Sequence, residues 1–272
     1  MLFLEIIGSI AACGATYFCA KTMASKLDRR KRRKLVEAHV LAIVDKRASG
    51  IIEKLSDAVA PSCITLDTMA RIHENVQGLI AGDAQEIHVV LHTRGGQATA
   101  AESIAKTILD ARAHGIRVCA YIPYYAFSGG CLIALACDEI FMTASSIIGP
   151  TDGQMQDGGS SVSSVKAICE TVEWQKKHAT NKVKAEWYAK YVDAKSCRVR
   201  QREFMDDLIK RGFYTQELGD SIYEELFSGK YNHDQGFDHI WASEKGLSVT
   251  RLEKMPDFAE QAISVYRGKD NE

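Results

Sequence analysis

Tyr121-Ile-Pro-Tyr-Tyr-Ala-Phe-Ser-Gly-Gly-Cys-Leu-Ile-Ala-Leu-Ala-Cys-Asp138 is the stretch on which the reading of the whole chain turns. Its first half ends an apolar run at Pro123, and its second half is an unbroken apolar helix pattern. Ser128 stands between them, followed by Gly129 and Gly130. A hydroxyl at a strand-to-helix junction meets unpaired backbone N–H groups and the positive end of the helix dipole. The position suits a nucleophile, and it suits an N-cap equally well.

Outward from this stretch the pattern alternates. Thr68 to Ile80 carries Met69, Ile72, Val76, Leu79 and Ile80 at helical spacing, a stripe that packs on a sheet. Ile87–Leu91 is a short β-branched run, hence a buried strand, closed by Thr93-Arg-Gly-Gly96. Ile104, Ala105, Ile108, Leu109 and Ala111 mark the apolar side of a helix that stops at Gly115. Ile116–Ile122, the helix from Ser128 to Ala136 and the strand Glu139–Met142 follow. Alternating strands and helices with short connections predict an α/β domain with a mostly parallel sheet. The loops at Gly95–Gly96 and at Ser128 both follow carboxyl ends of strands, where ligands bind in such sheets. Beyond the turn at Gly149-Pro-Thr-Asp152, one long helix is expected from Val165 to about Tyr191 and a second from about Arg198 to Lys210. A helix, a loop, another helix and a short strand fill Ile222 to Val249.

The bulk numbers set limits. A chain of 272 residues with 46% apolar and 25% charged residues and a net charge of −1 holds one domain of about 200–230 residues with appendages, and nothing in it points to nucleic acid. The eight cysteines form no CxxC pair and no metal-ligand spacing, so they read as reduced and the main domain as cytoplasmic. Leu2 to Ala20 is apolar or small except for Glu5 and spans about 28 Å as a helix. Lys21, Lys26 and the run Arg29-Arg-Lys-Arg-Arg-Lys34 follow. A cleaved signal peptide has its positive charge before the apolar segment. The reverse order predicts a single-pass anchor in the cell's inner membrane with all that follows on the cytoplasmic side. Leu35, Val36, Val40, Leu41 and Val44 suggest an amphipathic helix leading away from it, and a second segment runs from Ile51 to Val59. The expected divisions are an anchor over 1–23, a basic helical linker over 24–60, the main domain over 61–250 and a tail over 251–272.

For Ser128 to act, two backbone N–H donors must face the developing oxyanion, and a base must take its proton. Gly96 and Gly129 can supply the donors if neighbouring strands bring their loops together; an ordinary strand-to-helix turn is the alternative. No histidine lies between His114 and His178. His88 and His92 alternate on a buried strand and are expected to face a helix, while nothing in the sequence directs His233 or His239 at Ser128. A lysine also serves when burial makes it neutral. Lys166, in the uncharged Ser163-Ser-Val-Lys-Ala-Ile-Cys169, is the candidate, with a surface lysine as the alternative.

Three motifs in one order, Leu91-His-Thr-Arg-Gly-Gly96, Ile122–Ile140 and Ile148-Gly-Pro-Thr-Asp-Gly-Gln154, resemble the serine dehydrogenase proteinase family. That family stands with the signal peptide peptidase A-like serine proteases in the Clp/crotonase fold. Ser228-Gly-Lys-Tyr-Asn-His-Asp234 and Ala242–Val249 resemble its closing motif, so the likeness covers roughly Leu66 to Val249. The resemblance implies a serine peptidase acting on protein or peptide substrates without metal or organic cofactor. It places Ser128 as nucleophile, Lys166 as base, and Gly96 and Gly129 in the oxyanion hole. Gly95, Gly130, Gly149, Pro150 and Asp152 fall in supporting loops, and homo-oligomers are common in the fold. The chain departs from the pattern at Arg94, where proline is usual, at Tyr124, where histidine is frequent, and at Gly153-Gln-Met155. A crotonase-like acyl-CoA enzyme and a non-catalytic membrane scaffold remain the rival readings.

Overall fold

A computed structural model describes residues 27–45, 64–156, 162–178 and 183–267. In chain order, α1 (residues 27–37) leads into β1 (Val40–Val44), α2 (Leu66–Ala81) into β2 (Glu86–His92) and α3 (Ala98–Ala113) into β3 (Arg117–Ile122). The short β4 (Tyr125–Ala126) precedes α4 (Gly129–Leu135), β5 (Glu139–Met142) and β6 (Ile147–Ile148). A small hairpin of β7 (Gln154–Gln156) and β8 (Val162–Ser164) opens onto α5 (Val165–His178) and α6 (Ala185–Lys210). The chain closes with α7 (Gln216–Ile222), a π-helical turn over Tyr223–Phe227, α8 (His239–Glu244), β9 (Val249–Arg251) and α9 (Asp257–Arg267).

The main sheet runs β1-β2-β3-β5-β9 with every neighbouring pair parallel. Its strands are near-continuous apolar runs because both faces are covered. On one face α2, α3 and α4 lay Ile72, Val76, Ile104, Ile108 and Ile133 onto Leu41, Val89 and Val118. On the other, α9 with Leu35 of α1 covers Val40, Ala42, Val90 and Tyr121. Each large side chain buried here contributes about 1.5–3 kcal/mol. The helix periodicities read from sequence around Ile72 and Ile104 are therefore the core faces of α2 and α3.

Three expectations need correction. The amphipathic helix expected through Val44 stops at residue 37: His39 turns with φ 59°, and Val40–Val44 joins the sheet beside β2. Val40, Ile43 and Val44 are β-branched, and the first four residues of the strand are buried, which a surface helix could not accommodate. The linker and the tail thus both contribute to the folded unit, because β1 is an edge strand and α9 packs on β1 and β2. Finally, the helix break expected between Tyr191 and Arg198 falls earlier, and Ala185–Lys210 is a single helix. The anchor at 1–23 and the segment Ile51–Val59 lie outside the described residues. Among the described residues no helix is long and apolar enough to cross a membrane.

Above the carboxyl edge of the sheet a second, short-stranded layer ties the loops together. Ile64 bridges Gly96, Thr93 bridges Ala126, β4 pairs β6, and Ile148 bridges Phe237 antiparallel. This layer positions the site.

Candidate active site

Ser128 has φ 50° and ψ −121°, and its side chain makes no capping bond to α4. A non-glycine residue held there costs about 1–3 kcal/mol, which surrounding contacts must offset. They are visible: the Ser128 N–H donates to the Pro150 carbonyl at 3.1 Å, and the Gly130 N–H to Phe127 at 2.8 Å. The N-cap alternative is therefore set aside, and the hydroxyl projects from a strained junction at the start of an entirely buried helix.

The glycine pair after β2 completes this junction. Gly95 (φ 108°) and Gly96 (φ 153°) occupy backbone conformations that side chains rarely adopt, and a Cβ on Gly95 would lie 2.7 Å from Ser128 Cβ. A Cβ on Gly96 would lie 2.4 Å from the Ile64 carbonyl oxygen. Ile64 donates to the Gly95 carbonyl and accepts from the Gln97 N–H, both at 2.9 Å. In a parallel bridge that leaves the Gly96 N–H directed away from Ile64. The Gly129 N–H opens α4 and has no acceptor within the helix. Gly96, Ser128 and Gly129 line one cleft of about 740 Å³. Arg94 also explains itself: its N–H donates to Asp45 Oδ2 at 2.9 Å, a bond that the more usual proline could not make.

The opposite wall is the loop after β6 together with α6. Thr151 donates its N–H to Leu226 at 2.7 Å and accepts from Gln201 Nε2 at 2.8 Å. Asp152, buried on the cleft wall, accepts from His233 Nδ1 and from Gln154 Nε2, each at 2.7 Å. The Gly149 N–H donates to the Ala126 carbonyl at 3.1 Å. Lys166 does not line the cleft. Its ammonium donates to the Gly229 carbonyl at 3.3 Å and lies 4.0 Å from Glu170, with the side chain 41% exposed.

The His233–Asp152 pair is what sequence reasoning missed. Both residues sit in motifs already singled out, and the Ile148–Phe237 bridge with the Thr151–Leu226 bond brings the two segments side by side. His88 packs against Phe258 of α9, as expected of a strand histidine facing a helix. His92 is buried beside Tyr125; burial, with Arg267 adding to it and Asp45 opposing, lowers its pKa to about 4. Cys197 borders the cleft, but burial raises its thiol pKa and makes it a poor nucleophile. Among the described residues no group of three or more His, Cys, Asp or Glu side chains could hold a metal ion.

A family model described as ClpP-like SDH-type serine proteinase matches residues 21–266. Two uncharacterized proteins of Methanocaldococcus jannaschii are similar to the chain. One is 33% identical over 164 residues, covering 60% of this chain and 51% of the relative. The other is 31% identical over 182 residues, covering 66% and 58%. The chain thus spans between half and three fifths of these relatives' length. Among solved structures, two mutants of the 1510-N membrane-bound stomatin-specific protease are similar. The first, in complex with a substrate peptide, has a TM-score of 0.47 at 19% identity and covers 79% of this chain and 75% of that one. The second has a TM-score of 0.45 at 17% identity, with 73% and 79% covered.

Proposed function

The chain belongs to the ClpP-like SDH-type serine proteinases, and on that premise we propose that it is a membrane-anchored peptidase with Ser128 as nucleophile. The observation that carries this reading is the strained, uncapped Ser128 beside two glycine N–H groups in one cleft. Ser128 Oγ attacks the peptide carbonyl carbon, and the carbonyl π electrons move onto oxygen. The Gly96 and Gly129 N–H groups take the charge, an effect worth about 10²–10³ in rate per donor. As the tetrahedral species collapses, the C–N bond breaks and the amine leaves with the proton that the base had accepted. Water then attacks the acyl-enzyme, returns its proton through the same base and releases the acid.

Two groups compete for the role of base. Lys166, the sequence expectation, has to leave the Gly229 carbonyl and reach the cleft as a neutral amine. The alternative is supported by a specific contact: Asp152, on the cleft wall, holds His233 through Nδ1. His233, which like Lys166 is not among the residues lining the cleft, has to bring Nε2 to Ser128 to accept its proton. Asp152 has both oxygens engaged by His233 and Gln154, which argues against the free acid a crotonase-type enzyme needs. The apolar Leu2–Ala20 and the cations behind it support a single-pass inner-membrane anchor with a cytoplasmic domain, and homo-oligomers accord with the fold.

Fluorophosphonate labelling of the full chain decides the nucleophile: wild type is expected to label and Ser128→Ala not at all. Equal labelling of the two would remove the proposal. The base follows from kcat/KM, where the true base is expected to cost about 10³-fold or more on truncation to alanine. Lys166→Ala and His233→Ala therefore separate the two readings. A chain that labels on Ser128 but cleaves nothing in a broad peptide library is the scaffold.

A further inference from the structure

The basic run that follows the apolar stretch is folded, and its placement has a direction. Arg29, Arg30, Lys31, Arg33 and Lys34 are exposed on α1, and Arg33 alone of them pairs within the helix, with Glu37 at 2.9 Å. The inner side of α1 is fixed to the domain. Leu35 is buried beneath it, and the Arg32 guanidinium lies 4.7 Å over the Tyr266 ring. The same ring receives Arg71, which donates to the Ala42 carbonyl midway along β1 at 2.9 Å. Since residue 37 leads through the His39 turn into Val40, α1 runs back along β1. Its first residues therefore lie toward the carboxyl edge of the sheet, the edge that carries the Ser128 loops. Ser128 follows β3, two strands from β1, a lateral step of about 10 Å.

The two edges differ in what they expose. The carboxyl edge shows exposed Tyr124, an aromatic of the kind found at bilayer interfaces, and Arg94, which pairs with Asp45 at 3.4 Å. The amino edge shows Asp83, Glu86 and Glu139, the latter two sharing Arg117. Lys31 and Lys34, with Gln261 and Ser264 of α9, border a hollow of about 380 Å³ that also meets Leu35 and Val265. It offers cations and hydrogen-bond donors beside apolar surface, the chemistry of an anionic lipid headgroup site. The connecting Lys21–Lys26 reaches at most about 20 Å when extended.

We propose that α1 docks the domain on an anionic lipid surface with the carboxyl edge of the sheet turned toward it, so that the Ser128 cleft opens on peptide segments close to the bilayer. This rests on the anchored reading above, but its test needs no catalysis. The full chain is placed in phosphatidylcholine vesicles with and without phosphatidylglycerol, carrying a photoreactive benzophenone side chain in place of Ala144 after β5 or of Gln85 before β2. With phosphatidylglycerol, lipid adducts are expected at position 144 and at least about tenfold fewer at position 85. The R29Q/R30Q/K31Q/R33Q/K34Q chain is expected to lose the adducts at 144. Equal adducts at the two positions, or adducts unchanged in that variant or without phosphatidylglycerol, would overturn the proposal. Alkaline extraction reads the anchor separately: a chain it releases has no anchor, and docking through α1 then shows as adducts at 144 that salt abolishes.

Discussion

The two walls of the cleft are built on different foundations. The nucleophile wall, Gly95–Gly96 and Ser128–Gly129, rises from α4, which lies in the main core, and from β2 and β3, which are buried on both faces. The opposite wall leans on a satellite: Val165, Ile168, Val172, Tyr191 and Ala194 form a separate small cluster between α5 and α6. One wall is over-determined, with a strained serine locked by backbone bonds and close glycine contacts. The other is a helix pair whose outer surface shows Trp174, Tyr188, Val192 and Val199. A site made this way holds its nucleophile ready and leaves its second half free to adjust.

The sharpest way to break this contrast is at Gly95. Gly95→Val drives a branched side chain into Ser128 Cβ at a φ that valine avoids. Fluorophosphonate labelling is expected to vanish and unfolding stability to fall by about 3 kcal/mol or more. Retention of both would show that the junction is looser than its contacts imply.

The next test is pH. His92 ends β2 immediately before the glycine loop, and its folded pKa of about 4 lies below the value near 6.5 of an unfolded chain. The unfolded state therefore binds the extra proton first. Stability from this residue is complete above pH 6.5 and is lost as pH falls toward 4, by about 3 kcal/mol in all. His92→Leu is expected to flatten the stability profile between those values, measured by urea unfolding at a series of pH values. A profile of unchanged slope would show that His92 is not the group responsible.

The smallest effect is expected within the second wall, where α6 holds the loop after β6. Gln201→Met removes the bond from α6 to the Thr151 carbonyl, worth about 1 kcal/mol, while the apolar replacement suits a buried site. KM is expected to rise with labelling of Ser128 preserved; lost labelling would make the two walls one unit.

Legibility in the sequence follows the same division. The stripes of α2 and α3, the buried run of β2 and the junction at Ser128 are local patterns, and local patterns can be read from residue spacing. Val40–Val44 misled because Leu35 and Val36 continue the apolar spacing backwards; only burial on both faces distinguishes the strand from a helix. The break between α5 and α6 carries no glycine or proline between Ala179 and Lys184, so nothing in composition marked it. His233 and Asp152 stand in separate motifs, and a contact between distant segments leaves no trace in spacing. The uncharged neighbours of Lys166 in sequence, Val165, Ile168 and Cys169, pack α5 on α6.

The antiparallel bridge of Ile148 to Phe237 also sets a clock. Roughly ninety residues separate its partners, and a ribosome adds about 5–20 residues per second. For several seconds of its synthesis the chain carries β3, Ser128 and α4 without the segment around Phe237 that brings His233 to Asp152. A peptidase assembled in this order is born unfinished. The segment around Phe237 arrives when most of the chain has already left the ribosome, so the wall that carries Asp152 is completed after the one that carries Ser128.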